Sequence, residues 1–293
     1  MMTAIALATC TEEATLFHDE APLVDALEAK GATVYPVVWN SPEIDWSSYD
    51  LVVIRNTWDY HRQISAFRAW LDYLEQHHIA VLNPLPLLRW NIDKQYLDQL
   101  AEQGITTLPT VFAKGKDTNL LEVLRQHQWQ SAVVKPIISG SGDHTWVITE
   151  ANAQESQRQF DWLNDQIGMM IQPLASQIQD NGEISLVFFA GEYSHAVCKK
   201  PAPDHLLVQE EFGGSIDLIQ PDKRVIQQGL NIVKKVTDIT GFQPIYARVD
   251  GFLDDDTFVL MEFECIEPEL YFTRVSHAAE RFASLILDVA TAS

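Results

Sequence analysis

The sequence predicts an α/β protein in two parts: a Rossmann-like parallel sheet over residues 1–85, then a mixed α+β region over residues 86–293. Three observations carry this. Short apolar runs alternate with helical stretches at the start, which is βαβ rhythm. Asn83-Pro84-Leu85-Pro86 then interrupts with two prolines, which continue neither ladder nor helix. Beyond that break, strand pairs joined by tight turns dominate.

The first four strands are expected at Ile5–Cys10, Thr33–Trp39, Leu51–Ile54 and Ile79–Leu82. Helical spacing of apolar residues marks Ala21–Ala29 and Phe67–Gln76, and Gly31 stands where the first helix stops. After the break come a helix over Asn91–Gln103 and strands near Thr107–Phe112, Ala132–Ile138 and Thr145–Ile148. A helix over Gln154–Gln166 leads to the strand Met169–Pro173. A hairpin, Ile184–Phe189 and Tyr193–Lys199, turns at Ala190-Gly191. A helix over Pro221–Thr240 precedes a second strand pair, Tyr246–Leu253 and Thr257–Glu264, joined by the acidic turn Asp254–Asp256, and a helix from Arg274 to Val289 closes the chain.

Composition narrows the function. A chain of 293 residues with 46% hydrophobic and 21% charged residues buries a substantial core. A net charge of −21 opposes general binding to nucleic acid or anionic membranes. Three scattered cysteines make neither a disulfide framework nor a zinc site. The apolar start Met1–Cys10 lacks a basic flank and no run reaches membrane-spanning length, so a cytoplasmic protein is expected. Expected partners are a small molecule and, at most, a second copy of the chain. Phosphate binding in so acidic a protein must be local, which makes each lysine informative.

Glu262-Phe263-Glu264 lies on an apolar strand, where period two aims both carboxylates at one face and Phe263 and Cys265 at the other. A solvated edge strand explains the triplet, but Asp250 on the partner strand, two residues from Arg248, makes a third carboxylate that converges on the same face. Oxygen-only donors of this kind suit Mg²⁺, with Mn²⁺ as the alternative. Val133-Val134-Lys135-Pro136 followed by Ser139-Gly140-Ser141-Gly142 puts a lysine on an apolar strand ahead of a loop whose amides can approach phosphate. A surface hairpin accounts for the loop as well, and no Walker pattern is present. Asn91 or Asp93 caps the next helix and Lys94 projects at its start, either as a functional group or as a solvated lysine.

The order of these pieces, with Ile171-Gln172-Pro173-Leu174, Gly182-Glu183-Ile184, Lys199-Lys200-Pro201 and Gly213-Gly214 between them, resembles the ATP-grasp superfamily from about Asn83 onward. Within it the chain is similar to bacterial glutathione synthetases and to O-ureido-serine cyclo-ligases. The resemblance implies that Lys94 and Lys135 reach the ATP phosphates and that Ser139, Gly140, Ser141 and Gly142 close over them. It places Gln172, Pro173 and Leu174 beside adenine, Glu183 in the nucleotide site and Lys199 at the transferring phosphate. Asp250, Glu262 and Glu264 match metal-ligand positions, and Arg248 joins Lys135 and Lys199 as a catalytic candidate. Residues from about 107 to 168 become a lid. Two departures stand out: glutathione synthetases carry Asn at the position of Glu264, and they carry arginine at Leu207, ahead of the residue matching Gln209.

For the substrate, Arg55-Asn56-Thr57-Trp58-Asp59-Tyr60 follows the strand Leu51–Ile54, at the carboxyl end where parallel sheets bind ligands. Arg55 is a candidate for a substrate carboxylate and Asp59 for its amine; the alternative is a surface ion pair beside core aromatics. Gln209, Gly213 and Gly214 complete the expected substrate set, with Glu267 and Arg274 as further candidates. The expected activity is an ATP- and Mg²⁺-dependent ligase that activates a carboxylate of a small amino-acid-like molecule as an acyl phosphate. A kinase on the same nucleotide site and an ATP-binding module without turnover are the rivals.

Overall fold

The structure, a computed structural model, describes residues 2–113, 115–140, 142–202 and 213–292. Ser141, Leu207 and Gln209 lie outside the described residues. The chain starts with β1 (Ala4–Thr9), α1 (Ala21–Ala29), β2 (Thr33–Val38), β3 (Leu51–Asn56), α2 (Ile64–Gln76) and β4 (Val81–Leu82), whose strands form a wholly parallel sheet in the order β2-β1-β3-β4. β1 and β3 are buried almost throughout because both faces are covered. Ile5, Leu7, Leu51 and Val53 face one core with α1. Ala6, Ala8, Val52 and Ile54 face another beneath Trp39, Phe67 and Trp70. Alternate residues of one strand thus serve opposite cores.

The two prolines do not interrupt the chain as expected. α3 (Leu85–Asn91) begins at once, with Pro86 in its first turn, where the missing amide has no intrahelical partner to lose. The single helix expected over Asn91–Gln103 is two, α3 and α4 (Tyr96–Glu102), and the break between them carries Asp93 and Lys94. Asn91 is not a cap: its amide donates to the Phe263 carbonyl at 2.7 Å and accepts from the Cys265 amide at 2.9 Å.

β5 (Val111–Phe112), α5 (Leu120–His127), β6 (Ser131–Pro136), β7 (Trp146–Thr149), α6 (Ala153–Ile167) and β8 (Met169–Pro173) follow, with the strands in an antiparallel sheet of order β5-β8-β6-β7. Leu124, Val134, Phe160 and Ile171 belong to a core of its own. β8 is an inner strand of this sheet, so the unit expected over 107–168 closes one strand later.

α7 (Gln177–Asn181), β9 (Glu183–Phe189), β10 (Glu192–Lys200), β11 (Ser215–Ile219), α8 (Lys223–Thr240), β12 (Tyr246–Asp254) and β13 (Thr257–Glu264) complete an antiparallel sheet of order β11-β10-β9-β12-β13. α9 (Ser276–Ala292) then returns to the first sheet, where Phe282 and Ile286 share a core with Leu23 and Leu27 of α1. A boundary at residue 85 therefore separates sheets but not cores. Two buried side chains staple this junction. Asn83 donates to the carbonyls of Tyr246 and Cys265, and the Tyr246 hydroxyl donates to those of Ile54 and Ile266.

Candidate active site

A cavity of about 790 Å³ is lined by strands of the two antiparallel sheets and by the segments that follow β1 and β3 of the parallel one. Its apolar end is built by Leu108, Val133, Leu174, Ile178, Met261 and Phe263. Pro173 and Leu174 line it at the end of β8. Gln172 lines it too, but its side-chain amide is committed to the Thr110 hydroxyl at 2.8 Å.

The middle of the cavity holds four cations, Lys94, Lys135, Lys199 and Arg248, against Glu183, Glu262 and Glu264. β12 and β13 pair Arg248 with Glu264 and Asp250 with Glu262, so the register of one hairpin sets most of this charge pattern. Lys94 Nζ sits 3.1 Å from Glu262 and donates to the Ser139 carbonyl at 3.0 Å, joining the acidic strand to the glycine-rich loop. Lys199 Nζ sits 2.5 Å from Glu183 and 3.7 Å from Asp250. Burial works against its charge, but those two carboxylates outweigh it and raise its pKa. Lys135 is different: it makes no ion pair with any described residue, and burial lowers its pKa against the pull of Glu262.

Asp250 is the main correction among the expected metal ligands. It does not line the cavity; its two carboxylate oxygens share the Arg248 Nε proton at 3.0 Å, one accepts from Ser185 Oγ, and Arg248 Nη2 pairs with it at 2.9 Å. Arg248 and Lys199 hold its pKa low although burial opposes them. Asp250 therefore supports the two cations above it. Glu262 and Glu264 do face the cavity and fit a hard divalent cation. Each has one cationic partner, and the Glu264 pKa is pushed well up by burial and by Glu262 and Asp250 despite Arg248. Such surplus negative charge is what a bound cation relieves. No group of three or more potential ligands is preassembled among the described residues.

The far end lies where β1 and β3 finish. Cys10, Glu12, Glu13, Phe17, Trp58 and Asp59 line it. Here a second expectation fails: Arg55 does not face a substrate. It is fully buried, bonded to Glu20 at 2.7 Å and to the Pro268 carbonyl at 2.9 Å, because its strand position turns inward to α1 and the segment after β13. Asp59 reaches the cavity, though its oxygens already accept from Trp39 Nε1 at 2.7 Å and Gln63 Nε2 at 3.0 Å. Gly213 and Gly214 do not line the cavity. Glu267 does; burial, with Glu262 adding, raises its pKa to about 7. Glu12, Glu13 and Phe17 escaped sequence reasoning, although they follow β1 as Arg55–Asp59 follows β3, the same carboxyl-end rule applied one strand earlier.

The family described as D-cycloserine synthetase DcsG, N-terminal domain, matches residues 5–83. The chain is 28% identical to the cycloserine biosynthesis protein DcsG of Streptomyces lavendulae, over 97% of this chain and 98% of that one. The crystal structure of D-cycloserine synthetase DcsG superposes with a TM-score of 0.88 at 25% identity, covering 98% and 99% of the two chains. D-alanine–D-alanine ligase from Bacillus anthracis shares the fold at a TM-score of 0.72 and 15% identity, covering 99% of this chain and 97% of that one. The mixed three-sheet architecture is shared with these solved structures along nearly the whole chain: the protein has the ATP-grasp fold.

Proposed function

We propose that this cavity joins a carboxylate to a nucleophile, both drawn from small amino-acid-like substrate, by way of an acyl phosphate. The chain is an ATP-dependent ligase, and Lys135 is the observation that carries its nucleotide site. An amine held in a half-buried cavity without a carboxylate partner needs an anion, and a triphosphate supplies one. Adenine fits the apolar end at Leu174, Met261 and Phe263, which leaves the phosphates among Lys94, Lys135 and Lys199.

Glu262 and Glu264 would hold Mg²⁺, or Mn²⁺ in its place, which neutralises phosphate charge when bound. This chain's own residues position the rest. Lys135 and Lys94 hold the transferring phosphate. Arg248, oriented by Asp250, presents its guanidinium at the border between phosphates and acceptor. A substrate carboxylate oxygen attacks the γ-phosphorus, and ADP leaves. A nucleophile then takes the acyl carbon and phosphate departs. Asp59 and Glu267 face a substrate amine at the far end, and the loop at Ser139–Gly142 excludes water while the acyl phosphate exists. Similarity to DcsG along nearly the whole chain supports ring closure within one molecule over the joining of two. We place the reaction in the cytoplasm; no helix among the described residues is long and apolar enough to cross a membrane.

ADP release with Mg²⁺ across O-ureido-serine, related O-substituted serines, free amino acids and small peptides tests this reading. Turnover on a single substrate, yielding phosphate and a ring-closed product, is the expected result. A stable phosphorylated acceptor would convert the assignment to a kinase, and failure to bind any adenine nucleotide would remove it.

A further inference from the structure

The glycine-rich loop rests on the segment that shapes the acceptor end, and His61 is the seat. The His61 side chain is 6% exposed, and its Nε2 lies 3.4 Å from Asp143 Oδ2, just past the loop. Arg62 Nε reaches the same oxygen at 3.3 Å. A methyl group placed on Gly140 would stand 3.1 Å from His61 Nδ1 and 3.6 Å from the Trp58 carbonyl, so a side chain here would crowd the ring. Nδ1 is itself buried with no hydrogen-bond partner. Burial lowers the His61 pKa, which leaves a neutral ring near pH 7 that donates from Nε2 to Asp143. On its other side the loop is held by Lys94, through the Ser139 carbonyl.

This seat belongs to the acceptor end. Trp58 and Asp59, three and two residues before His61, line it, and Trp58 Nε1 donates to the Glu267 carbonyl at 3.1 Å. A loop that shields the phosphates is thus docked on the segment that meets the substrate, with one contact to the metal strand through Lys94 and another to the acceptor domain through His61.

We infer that His61 and Asp143 are positioning residues that couple closure of the glycine-rich loop over the nucleotide to the state of the acceptor segment Trp58–Arg62. They touch no reacting atom; they decide whether the loop is shut when phosphate transfers. Loss of the seat lets water reach the phosphates, so ATP is hydrolysed without ligation, while nucleotide affinity, set elsewhere, changes little. The inference rests on the nucleotide site proposed above.

Amide hydrogen exchange of the full-length protein with Mg²⁺ and the nonhydrolysable analogue AMP-PNP tests it. The wild type is expected to protect residues 139–145 on binding. His61→Ala and, independently, Asp143→Asn at a partly exposed position should bind AMP-PNP within about threefold of wild type yet lose at least tenfold of that protection, with β12 and α8 unchanged. His61→Gln, which keeps a donor, should restore most of it. Acceptor-independent ATP hydrolysis should rise severalfold in the two damaging variants. Wild type that fails to bind AMP-PNP overturns the nucleotide site and this inference together. Wild type that binds, with loop protection unaltered in Asp143→Asn and His61→Ala, overturns this inference alone.

Discussion

Lys94 Nζ stands 3.1 Å from Glu262 Oε1 and 3.0 Å from the Ser139 carbonyl, so one ammonium ties the acidic strand to the glycine-rich loop. That ammonium occupies one oxygen of the Glu262 carboxylate, and a metal-bound triphosphate must share it. Glu262→Ala removes the better placed of two oxygen donors. Mg²⁺-dependent ADP release should fall at least a hundredfold, as measured by a coupled assay at saturating ATP. Activity within threefold of wild type would take Glu262 out of the cation site.

Lys135 makes no ion pair with any described residue, which makes its replacement a clean probe of the phosphates. Lys135→Met should leave the thermal midpoint nearly unchanged and raise the AMP-PNP dissociation constant at least tenfold, read by calorimetry. That corresponds to about 1.4 kcal/mol or more, the usual range of a charge-assisted bond to phosphate. Equal affinity in the two proteins would show that the nucleotide lies elsewhere.

Arg55 and Glu20 separate a structural role from a substrate one. Both are fully buried, and Arg55 also lies over the rings of Tyr246 and Phe272. Glu20→Ala leaves a guanidinium uncompensated and should cost about 3–5 kcal/mol in urea unfolding. Glu20→Ala with Arg55→Leu should recover part of that loss. A variant as stable as wild type but impaired only in substrate KM would return Arg55 to the acceptor site.

Glu267 carries a pH signature. Its pKa rises from 4.5 in the unfolded chain to about 7 when folded, chiefly through burial. A raised carboxyl binds its proton more tightly in the native state, so its contribution is complete below pH 4.5 and disappears as pH rises through 7. Glu267→Gln, which cannot ionise, should lack this component. The stability difference between wild type and variant, followed by urea midpoints from pH 4.5 to 8, should therefore tilt against the wild type as pH increases. Parallel curves would show that Glu267 titrates normally.

Much of this was readable from residue order. The strand Thr257–Glu264 and the helix Ala21–Ala29 fall where the sequence puts them, the helix because Leu23, Ala26 and Leu27 make one buried face. Lys94, Lys135, Lys199, Glu262 and Glu264 do line one cavity. The failures share a cause: a sequence shows which residue types are near a site but not which neighbours will satisfy them. Asp250 is engaged by Arg248 and Ser185, and Arg55 is ion-paired to Glu20, a partner thirty-five positions away. Nothing in the sequence singles out His61, whose neighbours Asp143 and Gly140 only the folded chain brings to it.

The packing of α9 on α1 has a consequence for biosynthesis. The first sheet is translated well before α9, so the part of the α1-side core that Phe282 and Ile286 fill stays open until that helix has been made. That apolar surface must be shielded by other means in the interim.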